Sequence, residues 1–579
     1  MGARVYIVNC DISRYIVEEV EKMRQVVTIG NQDFEKIITN DYFYIDKTNM
    51  IKEWWESGDS VTLITRPRRF GKTLNMDMLK CFFSVEYSEK SGLFNNLNIW
   101  RYGKYRELQG TYPVIFLSFA GVKEGNANDV KMHIKALIAR LYEQNKMILW
   151  DLLSDNEKEQ YKGVTMNMSD AEASLSINAL CMYLNRYYGK KVIILLDEYD
   201  TPMQEAYTGE FWDEFAVFIR SILGATFKNN PYLERALMTG ITRVSKESIF
   251  SDLNNLNIVT TTSKEYEDCF GFTEEEVYKA LEVYNMADEK EKVKKWYDGF
   301  TFGDISGIYN PWSITNYLDK REYRAYWAYT SSNSLINRII RTASSDIKCK
   351  MEDLLNGKEI VVNFDEQIVF DQLGKNDSAI WSLMMASGYL TASEVEYRGE
   401  LRTPWYHLKI TNLETRAMFN QMFIDWFGSV QESYGRLVQA LIKGDIESMN
   451  AYMNRITLST FSFFDVGGEY QEPERFYHGF VLGLMAEQTE NYILRSNRES
   501  GFGRYDVMMI PKREELPGII MEFKVRSSRK ERTLEETVKA ALTQIEENNY
   551  DEELLTLGVK KERILHYGFA FDGKEVLIG

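Results

Sequence analysis

The octapeptide RPRRFGKT at residues 66–73 constrains this chain more than any other stretch. It follows the apolar run Val61-Thr62-Leu63-Ile64-Thr65 and precedes a helix-like stretch from Leu74 to Phe83. A strand, a tight turn ending in Gly-Lys-Thr and a helix form the context that a phosphate-binding loop needs. Backbone N–H groups and the helix N-terminus face an anion there, and Lys72 adds a full positive charge. Arg66 stands where the usual GxxxxGKT/S pattern has its first glycine. The pattern alone is therefore degenerate, and its meaning depends on what the rest of the chain supplies.

A second apolar run, Val192 to Leu196, ends in Asp197-Glu198. A buried strand delivering an acid pair at its carboxyl end is the Walker B arrangement. Asp197 would hold the hydration shell of Mg²⁺, and Glu198 would orient or deprotonate the attacking water. An ordinary strand end with solvated acids is the alternative, and the Gly-Lys-Thr loop upstream weighs against it. Further apolar runs at 114–119, 235–240 and 257–260 bring the number of short strands to five, and helical stretches at 128–153 and 169–188 separate them. This pattern predicts a parallel α/β sheet whose ligand sits beyond the carboxyl ends of the strands. Thr239, ending the fourth run, is then a candidate sensor of the γ-phosphate. Arg243 and Lys246 follow as transition-state cations or as solvated surface charges. Trp54-Trp55 either packs in the core or stacks on adenine.

The 579 residues exceed one ordinary core, so three or four domains are expected. A hydrophobic share of 44% with 13% aromatics belongs to a folded chain. Five scattered cysteines and four isolated histidines make a disulfide framework or a His-based metal site improbable and fit a reducing cytoplasm. Neither a transmembrane stretch nor a signal-peptide layout is expected. The formal charge of −17 restricts any nucleic-acid contact to a local surface.

That local surface lies near the C-terminus. Residues 503–510 and 518–525 are strand-like and can pair as a hairpin. Pairing brings Asp506 near Glu522 and Lys524, which lie two residues apart on one face. Two carboxylates and a lysine suit a Mg²⁺ site acting on a phosphodiester; without metal they would be solvated acids. Residues 495–532 carry ten Lys and Arg against six acids, as phosphate-backbone binding requires. Gln544, on the helix that follows, either orients a site group or lies on a solvated edge.

Taken together, YIDKT (44–48), TRPRRFGKT (65–73), LLDEYDTP (195–202), MTGITRVSKESIFSDLNN (238–255), WYDGFTFG, YNPWSI, SGYLT and FYHGFVLGL resemble the bacterial and archaeal AAA-ATPase-like family with a C-terminal PD-(D/E)XK nuclease-superfamily domain. The resemblance runs from about residue 27 to the C-terminus. It implies an α/β fold: a P-loop NTPase sheet of the additional-strand, AAA-like kind, then a C-terminal nuclease-like domain. The corresponding segments are an extension at 1–26, an ATPase core at 27–268 and a helical lid at 269–345. A winged-helix-like region at 346–425, a helical connector at 426–470 and the nuclease-like domain at 471–579 follow. By position, Arg69, Phe70, Gly71, Lys72, Thr73, Leu74, Thr239 and Arg243 would serve ATP, with Thr73 and Asp197 at its Mg²⁺. Glu198 would be catalytic. Asp506, Glu522 and Lys524 would form the nuclease core with Mg²⁺ or Mn²⁺ on the two acids, and Glu474 is a candidate helical acid. Tyr505 replaces the proline of the superfamily name.

The expected function is an ATPase coupled to a metal-dependent DNA nuclease in the cytoplasm, with a homo-oligomer as an option. The alternatives are a nucleotide-gated DNA- or protein-binding switch that does not cut, and an ATP-driven remodeller of other proteins.

Overall fold

The computed structural model describes residues 25–242, 249–250, 253–328, 334–366, 378–426, 431–464, 480–484, 486–488, 490–500, 503–527, 531–572 and 575–579. Arg243, Lys246, Glu474 and residues 1–24 of the N-terminal extension lie outside them.

Five strands build the first sheet: β1 (Val61–Thr65), β2 (Val114–Ser118), β3 (Val192–Asp197), β4 (Leu233–Gly240) and β5 (Leu256–Val259). They run parallel in the order β2-β3-β4-β1-β5. Every residue of β1 and β3 is buried, which explains why β3 is apolar up to Asp197 and β1 departs from that only at Thr62 and Thr65: helices cover both faces. β4 is the additional strand, inserted between β1 and β3. The carboxyl ends of these three strands therefore meet at one edge of the sheet. The helix Asn49–Ser57 puts Trp54 in the core, edge-on to Phe83 at 5.6 Å. Trp55 stacks on Phe83 at 5.3 Å and carries the Arg235 guanidinium 4.2 Å from its ring. The tryptophan pair is core packing.

The stretch after this sheet is less helical than its polarity predicts. β6 (Phe272–Thr273), β7 (Phe300–Phe302) and β8 (Ile305–Tyr309) form an antiparallel sheet in the order β6-β8-β7. Its anchor is Phe70 of the loop, which packs edge-on against Phe300 at 4.7 Å and Phe302 at 5.3 Å. Alternate aromatics therefore define a strand here, although the segment is only three residues long.

Next come β9 (Ile360–Val362), β10 (Leu390–Arg398) and β11 (Thr403–Ile410), in the order β10-β11-β9. The hairpin of β10 and β11 turns at Gly399–Arg402 and leads into the helix Leu413–Asp425. Glu414, in the first turn of that helix, is 0% exposed. It accepts hydrogen bonds from Ser313 Oγ at 2.8 Å and from the Trp327 backbone N–H at 2.6 Å. Burial outweighs these bonds and pushes its carboxyl up to about 7. The folded state then binds more protons than the unfolded chain between about pH 4.5 and 7, so this group's contribution falls as pH rises through that window and is flat above it. Glu414→Gln is expected to remove roughly 3 kcal/mol of this pH dependence, measured as the difference between urea midpoints at pH 5 and pH 8.

The last sheet contains β12 (Tyr492–Ser500), β13 (Gly503–Pro511), β14 (Gly518–Val525), β15 (Ile564–Asp572) and β16 (Glu575–Ile578), in that order. It is mixed: β14 pairs parallel with β15 and the other pairs are antiparallel. The helix Leu534–Glu547 makes the crossover between the parallel strands. The helices Gln431–Lys443 and Ile446–Phe464, read from sequence as a connector, pack onto this sheet. Asn450 Nδ2 donates to Ile578 O, and Asn450 Oδ1 accepts from Ile578 N, each at 2.8 Å. Asn454 does the same with Val576, at 2.7 and 3.0 Å. Two asparagines one helical turn apart thus satisfy the open edge of β16, which would otherwise be free to pair with another chain.

Candidate nucleotide and metal sites

The loop after β1 leads into the helix Lys72–Phe83 through Gly71, whose φ of +81° only glycine adopts readily. Arg69 also has positive φ, at +66°. A cleft of about 760 Å³ opens at this edge, lined by Arg69 through Leu74 and by Glu198. Lys72 is buried and donates to Arg66 O at 2.9 Å and Pro67 O at 2.8 Å. Desolvation lowers its pKa. Its ammonium is hydrogen-bonded to carbonyl oxygens, with the Glu198, Asp200 and Asp197 charges opposing the desolvation, and an anion in the cleft would be a charge-assisted hydrogen-bond partner.

Asp197 is 0% exposed and ties the strand ends together. Thr73 Oγ1 donates to its Oδ2 at 2.7 Å, and Thr239 Oγ1 donates to its Oδ1 at 2.6 Å. Thr239, expected beside the phosphates, is 0% exposed and meets the site through its bond to Asp197. Thr73 and Asp197 bring a hydroxyl and a carboxylate oxygen together, the hard donors that Mg²⁺ takes. Glu198 stands at the cleft with φ +50°. Asp200, which the sequence reading passed over, accepts from Ile241 N at 3.0 Å and from Thr242 N at 2.8 Å. It pins the chain just after β4. Its three-residue spacing from Asp197 was the available clue.

Arg66 does not approach the cleft as a phosphate ligand. It is 0% exposed. Its guanidinium donates to the carbonyls of Thr65 (3.0 Å), Thr260 (2.6 Å), Glu265 (3.3 Å) and Tyr266 (3.3 Å). It also lies 4.6 Å from the centre of the Phe302 ring. Burial lowers its pKa to about 10, so it keeps its charge at neutral pH. Arg66 is a staple between the loop, the segment after β5 and the β6–β8 sheet. Restoring the glycine by Arg66→Gly removes the guanidinium from four carbonyls, of which Thr260 O and Tyr266 O keep the backbone N–H groups of Ser263 and Cys269. It is expected to cost roughly 3 kcal/mol or more, read from the urea midpoint of the N-terminal transition.

The second site lies where β13, β14 and the crossover helix meet. Val507 pairs with Met521, which puts Asp506 opposite Glu522. Asp506 Oδ2 accepts from the Phe523 backbone N–H at 2.7 Å. Glu522 is 3% exposed, and burial together with the Asp506 charge raises its carboxyl to about 8. Gln544 bridges the acid and the lysine. Its Nε2 donates to Glu522 Oε1, and its Oε1 accepts from Lys524 Nζ at 2.6 Å. Its Nε2 also donates to the Tyr550 hydroxyl at 3.2 Å. Gln544 orients the site; Tyr550, behind it, went unnoticed because it lies beyond the end of the helix. Lys524 Nζ is 3.9 Å from Glu522 Oε1. Among the described residues, Glu522 Oε2 is buried with no hydrogen-bond partner. A buried, unpartnered carboxylate oxygen beside a second carboxylate is costly by itself and fits a divalent cation.

Residues 28–250 match the family described as Predicted AAA-ATPase, and residues 472–579 match the PD-(D/E)XK nuclease superfamily. The chain joins an AAA-ATPase-like domain to a PD-(D/E)XK nuclease-superfamily domain. The AAA-ATPase-like match begins just before the cleft's N-terminal wall and ends near residue 250, so it holds both the loop and the acid pair. The PD-(D/E)XK match contains the whole Asp506, Glu522, Lys524 and Gln544 cluster. Among similar proteins is an uncharacterized protein in the vnfD 5' region of Azotobacter chroococcum mcd 1. It is 27% identical over 435 residues, covering 74% of this chain and 76% of that one. Among the described residues no helix is long and apolar enough to cross a membrane.

Proposed function

We propose that this protein is a Mg²⁺-dependent ATPase whose nucleotide state controls a metal-dependent DNA nuclease. The observation that carries the nuclease half is the Glu522–Gln544–Lys524 bridge beside Asp506, with one Glu522 oxygen buried and unpartnered. Asp506 and Glu522 would hold Mg²⁺ or Mn²⁺, which when bound lowers the pKa of water and offsets charge on a phosphodiester. Lys524, oriented by Gln544, would hold the phosphate or the attacking water. In the ATPase half, Lys72 would hold the phosphates. Thr73 and Asp197 would hold Mg²⁺, and Glu198 would orient water. Arg243, outside the described residues, would serve the same phosphates. Buried free thiols at Cys81, Cys181 and Cys269 support a reducing compartment such as the cytoplasm.

Contact between the two halves supports coupling. Asn310 Nδ2 donates to Arg68 O at 3.2 Å, and Ser313, three residues on, bonds Glu414. Arg416 of the same helix as Glu414 donates to Leu355 O at 2.5 Å. The adjacent Asn356 donates to Leu494 O of β12 at 2.9 Å, and β12 pairs with the strand that carries Asp506. These links join the loop to the nuclease-like sheet through packed elements with few intervening contacts.

The test is ATP turnover together with cleavage of single- and double-stranded DNA in Mg²⁺ and in Mn²⁺. Both activities are expected. Turnover with DNA binding but no cleavage in either metal would favour a nucleotide-gated switch over a nuclease.

A further inference from the structure

The cleft that begins at the loop ends at a tryptophan. Trp312 sits in the first turn of the helix Pro311–Lys320, and that turn is fixed to the loop. Asn310, 0% exposed, caps it by accepting from Trp312 N at 2.9 Å and Ser313 N at 3.3 Å, while its amide donates to Arg68 O. The indole lines the cleft together with Gly30, Asn31 and Gln32, and the same cleft is lined by Lys72 and Thr73. Gly30 lies close against it: a Cβ on Gly30 would come within 3.6 Å of the ring. The Arg69 guanidinium lies 4.0 Å from the ring centre. Arg69 is an exposed side chain that makes no hydrogen bond among the described residues. The Trp312 face is therefore covered by a planar cation that no hydrogen bond among the described residues ties there.

We infer that Trp312 is the stacking platform for the nucleobase of a nucleoside triphosphate, and that Arg69 occupies that platform until the base displaces it toward the phosphates. The inference rests on the ATP reading of the loop. Three features support it. A guanidinium and a nucleobase are both planar and fit the same aromatic face. The cleft, at about 760 Å³, takes in both the loop and the indole. Arg69 belongs to the loop itself, and the Glu198 carboxylate favours its charged form against the desolvation that lowers its pKa. The released guanidinium thus has an anionic triphosphate within its own loop. The device also explains why an aromatic residue far in sequence from the loop belongs to the same cleft. Asn310 brings it there.

Calorimetric titration of the full chain separates the parts, using ATP with Mg²⁺, tripolyphosphate with Mg²⁺, and adenosine. Trp312→Ala is expected to weaken ATP by roughly tenfold or more while tripolyphosphate binds at least as tightly as to wild type, because Arg69 is no longer held by the ring. Trp312→Phe, which keeps a ring, is expected to retain most of the ATP affinity. Arg69→Ala should have opposite effects on the two partial ligands: adenosine binds several-fold tighter because its competitor is gone, and tripolyphosphate binds weaker. Equal ATP affinity in wild type and Trp312→Ala overturns the platform. So does an equal loss for ATP and tripolyphosphate, which would show a structural role only. Weaker adenosine binding in Arg69→Ala overturns the displacement. Failure of the ATP reading looks different: wild type would bind neither ATP nor tripolyphosphate, or Lys72→Ala would bind both as wild type does.

Discussion

Asp506→Asn is expected to lower metal-dependent DNA cleavage by on the order of 10³-fold, with the fold and the DNA affinity kept. The amide oxygen can still accept from Phe523 N–H, the bond that now joins β13 to β14 at this point. What is lost is the negative charge that a cation would need beside Glu522. The charge loss has a second consequence, because the Asp506 charge is one of the two causes that raise the Glu522 carboxyl. The variant should therefore ionise Glu522 more easily and still not cut, which separates loss of a metal ligand from loss of ionisation. Gln544→Ala is the graded companion. Gln544 positions Glu522 and Lys524 without being a metal ligand, so a loss of about 10- to 100-fold is expected, partly recovered by raising the metal concentration. Cleavage in the Asp506→Asn protein at the wild-type rate would remove this site from the account.

Lys72→Ala is expected to abolish ATP turnover, by about 10²-fold or more, and to remove nucleotide-induced stabilisation. Lys72 is buried, its pKa lowered by desolvation, and hydrogen-bonded to the Arg66 and Pro67 carbonyls. A desolvated cation bonded to neutral carbonyls gains from an entering anion. In wild type, ATP at a hundred times its dissociation constant should stabilise the fold by about 2.7 kcal/mol. Thermal melts with and without Mg²⁺ and ATP read this as an upward shift, and the shift should vanish in Lys72→Ala. The same shift in both proteins would show that the loop is not the nucleotide site.

Much of this was legible in the sequence, for definite physical reasons. β1 and β3 are covered on both faces, so they read as mostly apolar runs, and the Gly-Lys-Thr after β1 and the Asp197-Glu198 pair ending β3 stand out. Asp506, Glu522 and Lys524 followed from strand alternation and one hairpin. Other features were illegible because their role depends on distant partners. Trp54 and Trp55 are the more conspicuous aromatics yet pack in the core, whereas Trp312 reaches the cleft only because Asn310 ties its helix to Arg68. Glu414 looks like any acid in a first helical turn until Ser313 and Trp327 enclose it. Asn450 and Asn454 look like solvated helix positions until β16 lies alongside them. The β6–β8 sheet was hidden by the polarity of the helices around it and is revealed by the packing of Phe300 and Phe302 on Phe70. Arg66, a defect in the glycine pattern, is a charged staple whose partners lie about two hundred residues away in the chain.

The central claim is that the nucleotide held by the loop governs the acid–lysine cluster near the C-terminus. The most direct test is the rate of Mn²⁺- or Mg²⁺-dependent DNA cleavage by wild type and Lys72→Ala, each with and without ATP. The account predicts that ATP changes the wild-type rate and leaves the rate of Lys72→Ala unchanged, while Asp506→Asn is inactive in every condition. Cleavage that depends on Asp506 but is the same with and without ATP in wild type would contradict it.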